Sequence, residues 1–283
     1  MSVIVPLNLA DALQALAAEP AALVLAGGTD VMVEINGGHR RPVAVVSVSR
    51  VAELRSWSHD PRLGTVRIGA AVTYHELMGE SFAQLVPALA QAARTVGSPQ
   101  IRNAATLGGN IGTASPAGDG LPVLAALNAV VHLVAANGSR DVAFAEFVTA
   151  PKQTVLRPGE LIEAVTVPVL DGWQGYSKVG VRNAMVIATA SACVAVHEPA
   201  HSVRLALGSV GPTIIRCAEA EQLANASVDF ETRSVSADVV EQFAALAQSA
   251  SRPIDDHRST AAYRRRAVGV MAARLLRRAF PND

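Results

Sequence analysis

Two segments hold residue types that could grip an anionic ligand through the main chain. The first is Leu25-Ala26-Gly27-Gly28-Thr29-Asp30, at the end of an apolar run. The second is Thr106-Leu107-Gly108-Gly109-Asn110-Ile111-Gly112-Thr113-Ala114-Ser115-Pro116-Ala117-Gly118-Asp119. Paired glycines let a backbone approach a ligand closely and present successive N–H groups to an anion. Thr29, Thr106, Asn110, Thr113 and Ser115 add neutral donors. A diphosphate bridge could be held between two such loops with no dedicated Lys or Arg. Asp119 could accept from ribose or ribityl hydroxyls, or cap a helix that begins there. A lone Gly-Gly pair is more often an ordinary tight turn. Two loops of this richness in one chain put a ligand site and a pair of plain turns on even terms.

Other chemistries fall away on the same kind of reading. No Gly-x-Gly-x-x-Gly follows a strand and no Walker A sequence occurs, so an ordinary Rossmann site and a P-loop are both unsupported. His197-Glu198-Pro199-Ala200-His201 spells a zinc-protease signature, which needs a helix to bring both imidazoles to one face. Pro199 opposes that helix by roughly 3 kcal/mol. The segment also lies between two strand-like runs, so an exposed hairpin loop is expected. Cys193 and Cys217 are the only cysteines; they cannot supply the four thiolates of an iron–sulfur cluster and read as two free thiols in or near the core. No Ser–His–Asp nucleophile elbow appears. Tyr263-Arg264-Arg265-Arg266, with Arg274, Arg277 and Arg278, forms a basic helical stretch backed by Val268, Met271, Leu275 and Leu276. It reads as a solvated face or a subunit contact rather than a nucleic-acid surface.

The elements that must position the glycine segments follow from periodicity. Asn8, with Asp11 three residues on, predicts the N-cap of a short helix with apolar residues at Leu9, Ala12, Leu13 and Leu16. Residues 23–26 read as a buried strand running into the first glycine pair. Residues 43–48 form a second β-branched run, 51–54 a short helix and 66–72 another strand, so about the first 55 residues resemble a small β–α–β unit. The stretch 74–96 is helical, with Pro87 opening the second of two segments. Residues 97–120 read as a loop. Residues 121–128 predict a helix, and 130–135, 142–147 and 162–167 predict strands. Beyond Pro168 the texture changes: 176–181, 186–196 and 203–210 suggest a meander, and helices near 218–225, 237–250 and 261–280 close the chain.

Half of the 283 residues are apolar and 17% are charged, which calls for a sizeable core rather than disorder. Lys plus Arg equals Asp plus Glu at 24 each, so there is no electrostatic case for nucleic acid or an acidic membrane. The start, Met1-Ser2-Val3-Ile4-Val5-Pro6, lacks the basic and apolar regions of a secretory signal. The longest apolar-rich stretch, 121–136, contains Asn128 and His132 and is too short to span a bilayer. A cytoplasmic location without a membrane span is expected.

With their surroundings, the glycine segments resemble the flavoprotein (medium) subunits of the xanthine dehydrogenase and carbon monoxide dehydrogenase family, the molybdenum hydroxylases. The resemblance covers almost the whole chain. It takes in Ala26-Gly27-Gly28-Thr29-Asp30, Ile68-Gly69-Ala70 followed by Val72-Thr73, Ile101-Arg102-Asn103 and residues 106–110. It continues through Ala114-Ser115-Pro116-Ala117-Gly118-Asp119, Tyr176-Ser177-Lys178 and Tyr263-Arg264-Arg265. It implies an α+β chain. Residues 1–170 would form the two-subdomain FAD-binding fold of the vanillyl-alcohol oxidase and p-cresol methylhydroxylase type, with subdomains at about 1–55 and 56–170. Residues 171–283 would pair a three-stranded antiparallel sheet with helices, as in the carbon monoxide dehydrogenase flavoprotein C-terminal domain.

The resemblance further implies FAD as cofactor. Leu25, Ala26, Gly27, Gly28, Thr29, Asp30 and Val31 would line it from the first loop, and Thr106, Gly108, Gly109, Asn110 and Thr113 from the second. Asp119, Ile162 and Lys178 would stand against it, Lys178 stabilising negative charge on the reduced ring by about 1–3 kcal/mol. No substrate chemistry falls to this chain. A large partner would carry the molybdopterin cofactor and a small partner two [2Fe-2S] clusters, in a dimer of heterotrimers, with FAD relaying electrons to an external acceptor. Thr29-Asp30 departs from the His-Ser or Gln-Ser typical of carbon monoxide dehydrogenases, which argues against that substrate. Val96 stands where animal xanthine enzymes place an aromatic over the flavin, and the cysteine-bearing insertion of the 4-hydroxybenzoyl-CoA reductase branch is absent. A self-contained flavin oxidase of the same fold and a non-enzymatic assembly subunit stay open. Enlarging Gly27 and Gly108 together is expected to abolish flavin retention without unfolding the chain.

Overall fold

Asn8 accepts from the Asp11 amide at 2.8 Å and opens the helix Leu9–Ala18, which buries Ala12 and Leu16 one turn apart. The computed structural model that shows this cap describes residues 2–281. Two units share the chain. The first runs through Leu77 and adds Pro99–Ala114 and Asn128–Pro168; the second takes Met78–Ser98, Ser115–Leu127 and everything from Val169.

The first unit contains two sheets. In the smaller, Ala44–Ser47 lies between Ser2–Ile4 and Leu23–Leu25, all parallel, and its Ala44, Val45 and Val46 are buried. A parallel central strand covered on both faces reads as a continuous apolar run. The helix Leu9–Ala18 packs Ala12 and Leu16 with Val46, Val48, Val51 and Leu54. The larger sheet is antiparallel, in the order Trp57–Asp60, Thr65–Gly69, Leu161–Pro168, Val130–Ala135, Gly138–Ala143. Val66, Ile68, Val131, Leu133, Val165 and Val167 are buried. Between them point polar cross-strand partners: Arg67 pairs with Glu163 at 2.9 Å, and His132 bridges Asp141 at 2.6 Å and Thr166 at 2.7 Å.

Two sequence expectations fail here. Residues 142–147 are not a strand; Gly138–Ala143 ends there and Phe144–Phe147 is a turn of helix, which buries two phenylalanines three residues apart. Residues 97–120 are not one loop, because they contain the helices Pro99–Ala104 and Leu107–Thr113. Each glycine in the second helix opposes it by about 1 kcal/mol relative to Ala. Burial of Leu107, Ile111 and Ala114 at helical spacing outweighs that preference.

In the second unit Gln174–Val179, Ala190–His197 and Ser202–Gly208 form the antiparallel meander. The sheet has four strands rather than three, since Ile215–Arg216 adds a two-residue edge, too short to carry a periodic signal. The strand Ala190–His197 is Ala-rich because it is buried almost throughout, with the helices Leu121–Ala126 and Ala261–Ala279 packed on it. The helices Ala218–Ser227 and Ala237–Ala250 complete the core around Phe243, Val268 and Leu275. Pro87 opens the helix Pro87–Thr95 as predicted. Residues 197–201 form the expected hairpin turn, with His201 at φ 45° and stacked on Phe230 at 4.8 Å. Among the described residues no group of His, Cys, Asp and Glu is arranged to hold a metal, and no helix is long and apolar enough to cross a membrane.

Cys193 and Cys217 are both free and buried. Burial pushes the Cys193 thiol far up and that of Cys217 up to about 12, so neither offers a thiolate at neutral pH. The basic helix corrects a further expectation. Val268, Met271, Leu275 and Leu276 are buried as the spacing requires, but Arg264 is not on the solvated face. It is 4% exposed and donates to the carbonyls of Thr189 at 2.7 Å and Ser209 at 3.0 Å, and to Asp256 at 2.7 Å. A guanidinium can be buried when its donors find such fixed acceptors.

Burial pushes the Asp256 carboxyl up, but the amides of Arg258 and Ser259 together with Arg264 outweigh it and hold the group at about 2, below its ordinary 3.8. The folded form therefore resists protonation more than the unfolded chain does. The resulting stabilisation is present above about pH 4 and is lost as pH falls towards 2. Asp256→Asn should lower the thermal midpoint at pH 7, and the gap to wild type should close across that window. A gap that stays constant down to pH 2 would refute the assignment.

Candidate functional site

In the first unit the strand Leu23–Leu25 ends in the turn 26–30, which leads into the helix Val31–Asn36. Gly28 has φ +70°, a conformation that favours glycine. The amides of Gly27, Gly28, Thr29 and Asp30 donate to no group among the described residues. The turn is partly exposed, so these unbonded N–H groups need no partner within the chain.

The second glycine segment is the helix Leu107–Thr113. The Thr106 hydroxyl caps it by accepting from the Gly109 amide at 3.0 Å. Its Leu107, Ile111 and Ala114 face inward, while Gly109, Asn110, Gly112 and Thr113 keep partial or full exposure. Asn110 is held by the Tyr74 hydroxyl, which donates to its Oδ1 at 2.7 Å. Sequence reasoning missed Tyr74, and no local pattern could have found it, because the two residues lie on different elements. A side-chain carbon on Gly112 would reach Ile162 at 3.6 Å, an ordinary contact.

The fold brings these two segments together. A carbon added to Gly27 would fall 1.7 Å from the Ala104 carbonyl oxygen, and one added to Gly109 would reach the Ala26 side chain at 3.9 Å. Gly108 donates its amide to the Ala70 carbonyl at 3.0 Å, and an added carbon there would lie 2.6 Å from that oxygen. Gly27 and Gly108 are thus glycine because main chain meets main chain. This corrects the expectation that both could be enlarged without disturbing the fold; the positions with room for a side chain are elsewhere, Gly112 foremost.

Asp119 and Lys178 belong to the second unit. Lys178 Nζ meets Asp119 Oδ2 at 2.7 Å and donates to the Thr95 carbonyl at 3.0 Å, while the Tyr176 hydroxyl donates to Asp119 Oδ1 at 2.9 Å. The Lys178 side chain is 5% exposed. Tyr176 and Lys178 reach one carboxylate because residues two apart on a strand share a face. Asp119 does not cap the helix Leu121–Ala126; Gly120 holds that position and no side chain bonds there. Burial pushes the Asp119 carboxyl up against the opposing pull of Lys178 and Tyr176, and burial together with Asp119 drives the Tyr176 hydroxyl well above its usual range.

Residues 1–170 match the FAD binding domain in molybdopterin dehydrogenase, and residues 176–279 match the CO dehydrogenase flavoprotein C-terminal domain. The chain belongs to the FAD-binding medium subunits of the molybdenum hydroxylase family. The glyceraldehyde dehydrogenase medium chain of Sulfolobus acidocaldarius is 32% identical over 274 residues, 95% of each chain. The xanthine dehydrogenase FAD-binding subunit of Escherichia coli O157:H7 is 35% identical over 235 residues, 80% of each. Among solved structures, carbon monoxide dehydrogenase from Hydrogenophaga pseudoflava superposes with a TM-score of 0.90 at 27% identity, covering 99% of this chain and 96% of that one. This medium subunit is an oxidoreductase component, and its cofactor is FAD.

Two outcomes are expected for this subunit. Gly27→Ala forces backbone apart, a change of the overpacking kind that costs roughly 1–3 kcal/mol. Gly112→Ala should leave the thermal midpoint near wild type; equal midpoints for the two variants would contradict the packing described. Lys178→Met strands the buried Asp119 carboxylate and should destabilise the chain by roughly 3 kcal/mol in chemical denaturation. Asp119→Asn combined with Lys178→Met should recover part of that loss.

Proposed function

We propose that the open amides of Gly27, Gly28, Thr29 and Asp30, facing the exposed side of the helix Leu107–Thr113, hold the diphosphate of FAD, and that the chain relays electrons without acting on a substrate. The observation that carries this reading is the row of four unbonded amides packed beside a glycine-rich helix in one unit. Such a row suits a diphosphate because its donors are fixed in advance and need no cationic side chain. Leu25, Ala26 and Val31 flank the row. Thr106 keeps the Gly109 amide in place by capping, Gly108 seats the helix on Ala70, and Asn110 is aimed by Tyr74. Thr113, Gly109 and Gly112 give a surface without bulky side chains, bordered by Ile162.

Asp119, Ile162 and Lys178 are assigned to the same cofactor on the family pattern. Asp119, itself held by the Tyr176 hydroxyl, and the Thr95 carbonyl fix the Lys178 ammonium in one geometry, which suits a group that stabilises negative charge. Bound FAD supplies a redox centre that can accept electrons from the [2Fe-2S] clusters of a small partner subunit and deliver them to an external acceptor. A large partner subunit carries the molybdenum cofactor and the substrate, and two such heterotrimers pair in the cytoplasm. The names of the relatives, medium chains and FAD-binding subunits of dehydrogenases, support this division of labour.

The test is titration of the full chain with FAD, followed by flavin fluorescence. About one FAD per chain is expected, and Gly112→Leu should weaken binding at least tenfold while the thermal midpoint holds. A folded wild-type chain that takes up no FAD would overturn the proposal.

A further inference from the structure

The helix Val31–Asn36 follows directly on the first glycine turn, yet none of its residues is buried, and Met32 and Val33 stand exposed. Its Val31 and Ile35 are only partly buried. The hydrogen bond that reaches from it to a distant element is made by Glu34, whose Oε1 accepts from Lys152 Nζ at 2.6 Å. Lys152 lies between the short strands Val148–Ala150 and Gln153–Thr154 with φ 58°, a backbone state that a non-glycine residue adopts only where its surroundings hold it. Its own amide donates at 3.0 Å to the carbonyl of Ala114, the left-handed residue that closes the helix Leu107–Thr113. One residue therefore bonds through its main chain to the end of the second glycine element, and through its side chain to the helix that continues the first.

We infer that Lys152 is a positioning residue for the cofactor: by holding Glu34 it fixes the helix Val31–Asn36, and with it the row of open amides at 27–30. The inference rests on reading that row as the diphosphate grip. Amides grip an anion well when they are already aligned, since aligning them at the moment of binding subtracts from affinity. A surface ion pair contributes little by itself, but here it spans 118 residues of sequence and joins the two elements that must stay in register.

FAD affinity of the full-length chain, measured by fluorescence at low salt, tests this. Lys152→Met and Glu34→Gln should each raise the Kd about two- to fivefold, the range set by a partly exposed pair. The double variant should be no weaker than either single, Lys152→Arg should match wild type, and thermal midpoints should barely move. Added salt should narrow the gap between wild type and the double variant, because it screens the pair. Loss of affinity in Lys152→Met alone, with Glu34→Gln unchanged, would mean that Lys152 touches the ligand directly and would overturn the positioning role. Unchanged affinity in both, with wild type binding FAD, would overturn it as well. A wild-type chain that binds no FAD would instead remove the reading of the glycine site, and this inference with it.

Discussion

Close approach of main chain to main chain, at positions where no side chain can stand, is the constraint on which the first unit depends. Gly27 meets Ala104, Gly69 meets Leu54 and Gly108 meets Ala70, each at a separation that a single added carbon would close. These contacts set a strand end, a helix end and a second helix against each other. The amides of 27–30, in a partly exposed turn beside these contacts, make no hydrogen bond among the described residues. Unpaired donors are costly where water is excluded and cost little where it is not. A partly exposed turn can therefore keep them open for a ligand.

The second unit holds two buried charged clusters whose charges meet counter-charges or carbonyls, with the Nε of Arg264 left without a partner. Asp119 has Lys178 and Tyr176, and Lys178 has in addition the Thr95 carbonyl. Arg264 has two carbonyls and Asp256. Both arrangements tie segments far apart in sequence to one meander strand or its edge. A buried pair of this kind adds little net stability compared with apolar packing, but it penalises any arrangement that separates the partners. It therefore favours a defined geometry over added stability.

In a flavoprotein subunit the cofactor carries the redox chemistry, and the protein supplies binding, orientation and electrostatics. The two thiols are buried with raised pKa values, the His197–His201 segment is a hairpin turn, and no metal-binding group occurs among the described residues. What stands out instead is neutral donors, small residues and one buried ammonium.

The sequence by itself determined the elements whose signals are local. The Asn8 cap, the β-branched run at 43–48, the proline opening at Pro87 and the apolar stripe of the last helix each depend on neighbours within a turn or two. Both glycine segments and the Tyr176-Ser177-Lys178 triplet were visible as residue strings, and their order along the chain was enough to bring out the family resemblance. Tertiary structure alone decided what those residues do. It made a helix of a glycine-rich stretch, because burial of Leu107 and Ile111 outweighs propensity. It assigned Gly27 and Gly108 to packing and left Gly112 open. It also joined Tyr74 to Asn110 and Lys152 to Glu34 across 36 and 118 residues. Such pairings carry no periodic signature, since only the folded chain sets the distance between their partners.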